Sequence, residues 1–404
     1  MSKKNDDFFI EKKPWSIVKD ELLGCYLTPY VSKILHTHRP LVYVDCFAGK
    51  GKFEDGTPGS PIIAMDIFKN ALSTTKIKGD VQFEAAFIDL NYSSDLETNL
   101  REYSGVQVVA GAYEDVIDDF LKSKAGCNVF LYIDPYGIKA LDCLKFDSFA
   151  SGRFNTIELL INMNSFGFIR EACNALGTNY TLSDTSFFDE LVEYNPTVLD
   201  ATDKSIEALN RIAGGDYWKN IIKRYKRGEL DGYQAEESFS KQYCQRLRKN
   251  YKYVLNMPIR IKNTQHPKYR MIHATNHSAG CVLMADNICN RLNLLKDIQN
   301  EGQMTLFQED YNNQIIDECI IRDCVKKHFS QYNQWMSLTE AQALFFMEYG
   351  AICKRGDINK TLKKLIRDGW LEVMRSNAWT EKGRPSTYMT EGRGRTVSIK
   401  WVKR

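Results

Sequence analysis

Between Leu41 and Met163 five apolar runs alternate with segments of helical spacing. The runs at 41–47, 82–89, 106–111, 128–134 and 154–163 read as strands, and 61–72, 93–103 and 113–124 read as helices. Strands that are apolar throughout must be covered on both faces, so the pattern predicts βαβ units around a mostly parallel sheet. Ser60 is placed to cap the first of these helices and Pro61 to occupy its first turn. Upstream, Trp15, Lys19, Leu22, Leu23, Tyr26 and Tyr30 recur at helical spacing and predict an amphipathic helix over 15–36.

Beyond Asn164 the alternation lapses. Residues 165–235, punctuated by Gly214-Gly215, read as a helical insertion or lid, and 236–249 as a further helix. The runs at 251–261 and 268–276 predict an antiparallel hairpin, with a helix over 277–293 closing a first domain of residues 1–293. A connector, 294–320, leads to two helices, 337–349 and 355–371, and to a hairpin whose arms are 371–376 and 386–392. Two helices and a basic hairpin predict a winged-helix domain over 321–404. A chain of 404 residues has room for two or three domains, and 43% hydrophobic with 26% charged residues suits a globular protein. Charge is uneven. Residues 321–404 carry 17 Lys and Arg against 8 Asp and Glu, or +9, while the rest carries 37 against 43, or −6. Such a basic tail fits an anionic partner or a solvated basic surface. The eleven cysteines are scattered, with no C-x-x-C pair, which predicts reduced thiols in a cytoplasm. No apolar run has the length of a membrane span, and the start of the chain has no signal-peptide core.

The first strand ends in Asp45-Cys-Phe47-Ala48-Gly49-Lys-Gly51. A glycine turn after a strand brings bare backbone close to a ligand, and open α/β sheets bind ligands at that edge. No G-K-[ST] follows, so the turn is not a P-loop. It is similar to the first motif of methyltransferases that use S-adenosylmethionine. On that reading Asp45 faces the amino-acid end of the cofactor, and Phe47, Ala48, Gly49, Gly51 and Ser60 surround it. Asp89 ends the second strand, where a carboxylate accepts hydrogen bonds from a ribose diol or caps a helix with Asn91 and Ser93. Gly111 ends the third strand. Glu114 and Asp115 then meet an adenine amino group or serve as ordinary first-turn acids.

The fourth strand ends in Asp134-Pro135-Tyr136-Gly137. This resembles the acid-or-amide, proline, proline, aromatic motif of amino-methyltransferases, with the second proline missing and Tyr136 one place early. There the acid and the following carbonyl hold the target amine, and the ring stacks on the flipped base. The alternative is a plain strand-end turn.

Together with Trp15, Lys19, Tyr43, Gly59-Ser60-Pro61, Phe87-Ile-Asp89, Glu158-Leu-Leu-Ile-Asn162 and 269–277, these residues make the chain resemble the three-Cys-motif partner protein family over most of 15–293. The resemblance implies a class I methyltransferase-like sheet, mostly parallel with a terminal antiparallel hairpin. It also implies a radical-SAM-like partner carrying the three cysteines.

His273 and His277 straddle a strand end and a helix start, so no metal site is expected. In the tail, Lys360, Lys363, Lys364 and Arg367 fall on one side of a helix, and Lys382 and Arg384 near a turn, as candidates for phosphate contact with DNA or RNA. The expectation is a methyltransferase that uses S-adenosylmethionine and acts on a nucleic-acid base amine, adenine N6 or cytosine N4. The alternative is a non-catalytic nucleic-acid-binding or scaffold subunit of a partner enzyme, as in an anti-phage system.

Overall fold

The computed structural model describes residues 6–74, 81–182, 203–259, 267, 269–300, 318–392 and 394–402. They divide into two compact units, one ending at Asn276 and one beginning at His277.

The first unit is built on a seven-stranded sheet. Its strands are β1 (Leu41–Asp45), β2 (Phe83–Asp89), β3 (Val106–Ala110), β4 (Asn128–Ile133), β5 (Thr156–Met163), β6 (Tyr253–Ile259) and β7 (Tyr269–Thr275). Their order across the sheet is β3-β2-β1-β4-β5-β7-β6. The first five pair in parallel, and β7 runs antiparallel to both neighbours. This is the mostly parallel, Rossmann-like arrangement expected, with β6 and β7 as the terminal antiparallel pair. Pro258 sits exposed on β6, the edge strand.

Every residue of β1, β4 and β5 is buried. The helices that cover them explain why. On one face, α1 (Pro14–Ile34) and α2 (Ser60–Thr74) lay Tyr26, Tyr30 and Phe68 against Tyr43 and Phe130. On the other face, Val44, Leu131, Ile133, Leu159 and Ile161 share one apolar cluster with α4 (Tyr113–Lys122), α5 (Cys143–Phe149) and α6 (Ser165–Ala175). The short α3 (Ser93–Leu100) follows β2.

The segment expected as an insertion or lid is largely helical where described, and its helices belong to the body of the first unit. Helices α7 (Asp203–Ala213), α8 (Trp218–Lys226) and α9 (Gly232–Leu247) bury Leu209, Trp218, Ile221, Ile222 and Phe239 in that same cluster. Their apolar stripes extend the cover that α4, α5 and α6 give to this face. Residues 183–202 of this segment lie outside the described residues.

Two buried charges pin the sheet to its helices. Arg270 on β7 donates to both oxygens of Glu236 on α9, at 2.5 and 2.7 Å, and the Ser165 hydroxyl donates to Glu236 as well. On the opposite face Glu158 accepts from Tyr26 and meets His273 Nε2 at 2.9 Å.

The second unit contains α10 (Ser278–Asn300), α11 (Glu318–Phe329), α12 (Leu338–Tyr349), α13 (Arg355–Arg367) and a small antiparallel sheet. That sheet has the order β8 (Met336–Ser337), β10 (Val397–Trp401), β9 (Leu371–Arg375). Two expectations are corrected here. The helix expected to close the first domain belongs to the second unit: α10 buries Cys281, Met284, Ala285 and Ile288, and Cys289 donates to the carbonyls of Ala351 and Cys353 at 3.0 and 2.9 Å. Nor is segment 386–392 the partner of β9. That partner is β10, in register from Leu371↔Trp401 to Arg375↔Val397. Val397, Ile399 and Trp401 are buried and alternate with half-buried Ser398 and Lys400, a period-two pattern that 386–392 lacks. Most of the expected connector, 301–317, lies outside the described residues. Among the described residues no helix is long and apolar enough to cross a membrane.

Because Glu236 is 1% exposed and bidentate to Arg270, Arg270→Met strands a buried carboxylate. We expect a loss of about 3–5 kcal/mol in urea unfolding, and partial recovery when Glu236→Gln removes the stranded charge.

Candidate functional site

Because the central strands have no exposed residue, polar groups gather where the strands end. A cavity of about 480 Å³ opens at the C-terminal edge of the sheet. Phe47, Ala48, Gly49, Gly51, Ser60, Asp89, Gly111, Glu114, Asp134, Pro135 and Tyr136 all line it. Four strand ends and the start of α2 therefore bring together every expected cofactor and target residue except Asp45 and Asp115. A volume of this size is that of a small-molecule site.

The details differ from expectation in three places. Asp45 does not line the cavity. It is fully buried, accepts from the Phe47 amide at 3.2 Å and takes the Ser60 hydroxyl at 2.7 Å. A carboxylate that bonds the amide two residues on closes its own turn, so it faces back rather than outward. Asp45 thus reaches the cavity only through Ser60.

Second, three amides of the glycine turn, at 47–49, are already used. Phe47 donates to Asp45, Ala48 to the carbonyl of Ile88 at 3.0 Å, and Gly49 to Asp89 at 2.9 Å. Gly49 is needed for another reason. Its φ is +61°, and a Cβ there would lie 2.9 Å from the Phe9 ring. The turn makes room for a ring of the chain itself.

Third, Asp89 is largely engaged. Besides Gly49 it accepts from the amides of Asn91 and Tyr92, at 2.8 and 2.7 Å. It closes the turn before α3 without capping that helix, whose N-cap is Tyr92, and it keeps a place in the cavity wall. A carboxylate has about four acceptor positions. Three are filled.

Sequence reasoning missed the side of the cavity formed by α1. Lys19 Nζ lies 2.7 and 3.0 Å from the two oxygens of Asp134, and 5.5 Å from the centre of the Tyr269 ring. The Asn162 amide donates to Asp134 at 2.6 Å. One turn earlier Ser16 lines the cavity, 6% exposed, and its hydroxyl has no hydrogen-bond partner. Asp20 also lines it and pairs with Lys12 at 2.6 Å. A signal was present: Lys19 interrupts an apolar stripe, and a buried ammonium needs an acid.

Aromatic rings from the N-terminal segment complete the wall. Phe8 and Phe9 belong to a short 3-10 helix, Asp6–Phe9. Phe9 packs with Tyr92 and Phe53, and Phe8 meets the half-exposed Tyr136 edge to face at 5.5 Å. The Glu54 amide donates to the Phe9 carbonyl at 2.8 Å and holds the segment down.

In the second unit, Lys360, Lys363, Lys364 and Arg367 are exposed on α13, and Lys382 and Arg384 are exposed in the loop between β9 and β10. Lys360 meets Glu318 at 3.3 Å and Arg367 meets Asp368 at 3.5 Å. Trp379, 66% exposed, stands in the same loop.

Against models of protein families the chain matches none, and no curated protein is significantly similar to it.

Burial pushes the Asp45 carboxyl up to about 7, against the lowering effect of its bonds from Ser60 and Phe47. Burial likewise raises Asp20 to about 6, partly offset by Lys12. Each folded value lies above the ordinary 3.8, so the folded chain holds more protons than the unfolded one between about pH 4 and 7. Stability should therefore fall as pH rises through that window. We expect wild type to lose about 2 kcal/mol more than Asp45→Asn between pH 5 and 8 in denaturant titrations. Parallel curves would refute the assignment.

Proposed function

We propose that the chain binds S-adenosylmethionine and methylates nucleic acid, at a base amine. The observation that carries this reading is the convergence of residues from four strand ends on one cavity. The strand order and the antiparallel β7 agree with it, because they are those of class I methyltransferases. So does the chemistry of the α1 side, where acids and an unpartnered hydroxyl suit a cationic amino-acid group.

When bound, S-adenosylmethionine supplies an electrophilic methyl group. The residues do the rest by orientation. Lys19, Asn162 and the Tyr132 hydroxyl, the last at 3.4 Å from Oδ2, fix the Asp134 carboxylate, and a target amine would displace the long Tyr132 bond from Oδ2. That oxygen and the Pro135 carbonyl would take the two amine hydrogens and turn the nitrogen lone pair toward the methyl carbon. Tyr136 would stack on the base. Asp134 and the Pro135 carbonyl would hold the nitrogen in line for transfer, and the extra amine proton would leave to water.

In the second unit we read α11, β8, α12, α13, β9 and β10 as a winged helix, with α13 and the β9–β10 loop meeting phosphates. The three-Cys-motif partner stays a proposal on the resemblance alone. A second reading is a subunit that recruits nucleic acid for a partner enzyme. It is favoured by one observation: the turn amides at 47–49 are spent internally and Phe9 covers Gly49.

Calorimetric titration with S-adenosylmethionine and S-adenosylhomocysteine separates the two. We expect micromolar binding, and transfer of a tritiated methyl group to DNA or RNA that falls at least 100-fold in Asp134→Ala. Binding without transfer would favour the recruiting subunit; the absence of binding would reject the cofactor. For the tail, we expect salt-sensitive nucleic-acid binding that is lost on deleting residues 321–404. Binding that survives the deletion would refute the winged-helix role.

A further inference from the structure

Trp379, in the loop between β9 and β10, is 66% exposed, more than any other large apolar side chain among the described residues. A single exposed apolar residue is ordinary. This one differs from the other tryptophans in its isolation. Trp218 packs against Phe168, Trp370 lies 5.7 Å from Trp401, and Trp335 has the Lys400 ammonium 5.7 Å from its ring centre. Trp379 has no ring or cation partner among the described residues. It is nonetheless held in place. Trp379 faces Pro385 across an antiparallel bridge, the Ser386 amide donates to the Ala378 carbonyl at 2.8 Å, and the Thr380 amide donates to the Arg384 carbonyl at 2.8 Å. Gly383 turns the chain with φ at +70°, a value that favours glycine, and the Arg384 amide donates to the Thr380 hydroxyl at 3.1 Å. With the backbone fixed, two side-chain torsions are all that a partner must order.

The charges beside the ring point to the kind of partner. Lys382 and Arg384 are exposed in the same hairpin, and neither meets an acid among the described residues. Glu381 is the one acid of residues 378–386, which therefore carry two positive charges against one negative. On the flanking segments Glu391 is spent on Ser337, Thr339 and Val397, and Glu372 meets Lys400 at 3.7 Å. Arg375 and Arg395 lie over the Tyr388 ring at 5.8 and 5.5 Å. A free ring and two free cations in one hairpin match the two parts of a nucleotide, a base face and a phosphate.

We infer that Trp379 is a stacking platform for an unpaired base, and that Lys382 and Arg384 hold the phosphates of that single strand. The grooves of a closed duplex show base edges only, whereas the flat face on which a ring stacks is open where a base is unpaired. The inference rests on the nucleic-acid reading above and deepens it by naming the form of nucleic acid, a single strand. Trp379→Ala should weaken single-strand binding about tenfold and leave duplex binding within about twofold. Trp379→Phe should keep most of the affinity. Stacking carries no charge, so Trp379→Ala should leave the salt dependence unchanged, while Lys382→Ala and Arg384→Ala should each reduce its slope by about 0.7.

The test is fluorescence anisotropy of the full chain with labelled oligonucleotides of one sequence: a DNA strand, an RNA strand, a blunt DNA duplex, and a DNA strand whose central positions are abasic. Wild type should bind the abasic strand about tenfold more weakly than the intact one, and Trp379→Ala should bind the two alike. The ring is exposed, so thermal melts of the variants should match wild type and show that none is lost to misfolding. The tighter of the DNA and RNA strands identifies the source of the base. A loss in Trp379→Ala that is confined to single strands and absent on the abasic one supports the inference. A loss shared equally with the duplex, or no loss at all, as for a ring that anchors a protein, overturns it alone. Binding of none of the four by wild type overturns it together with the nucleic-acid reading.

Discussion

Three adjacent parallel strands, β1, β4 and β5, have no residue open to solvent. A sheet closed on both faces leaves its polar side chains two options. They pair inside, as Glu236 with Arg270 and Glu158 with His273, or they collect at the strand ends. Both happen here. The first option ties the helical layers to the sheet. The second concentrates acids, glycines and aromatic rings at one edge, where the cavity lies.

The edge is more self-satisfied than a bare glycine turn suggests. Asp45 and Asp89 each spend hydrogen bonds on backbone amides, and the turn amides at 47–49 are consumed. Such bonds fix the wall before any ligand arrives. The groups left to act are those facing α1 and the fourth strand end: Lys19, Ser16, Asp134, the Pro135 carbonyl and Tyr136. The cavity wall is thus made by a helix that precedes the sheet as much as by the turn after β1.

The strands and their terminal acids were legible in the sequence because apolar runs of strand length, broken by helical spacing, admit few other folds. The placement of Asp89, Gly111 and Asp134 at one edge follows from parallel order alone. What hydrogen bonds each acid makes was not legible, since it depends on backbone direction after the strand. Lys19 stood in plain view as a charge on an apolar stripe, but its partner lies 115 residues away. The C-terminal hairpin was misread for a local reason. Segment 386–392 follows a turn rich in glycine and proline signals, whereas the true partner, Val397–Trp401, comes after a longer loop, and only its alternation betrays it. Helix α10 was assigned to the wrong unit because its apolar face fits either neighbour by composition, and only contact decides.

One feature at the far rim bears on how the chain behaves in a crowded solution. The sheet ends on β6, and Pro258 sits exposed on that strand. A proline has no N–H to offer an incoming strand, and its ring keeps a flat neighbour at a distance. At that one position the last strand cannot donate to an incoming strand, which works against edge-to-edge association of one copy with the next.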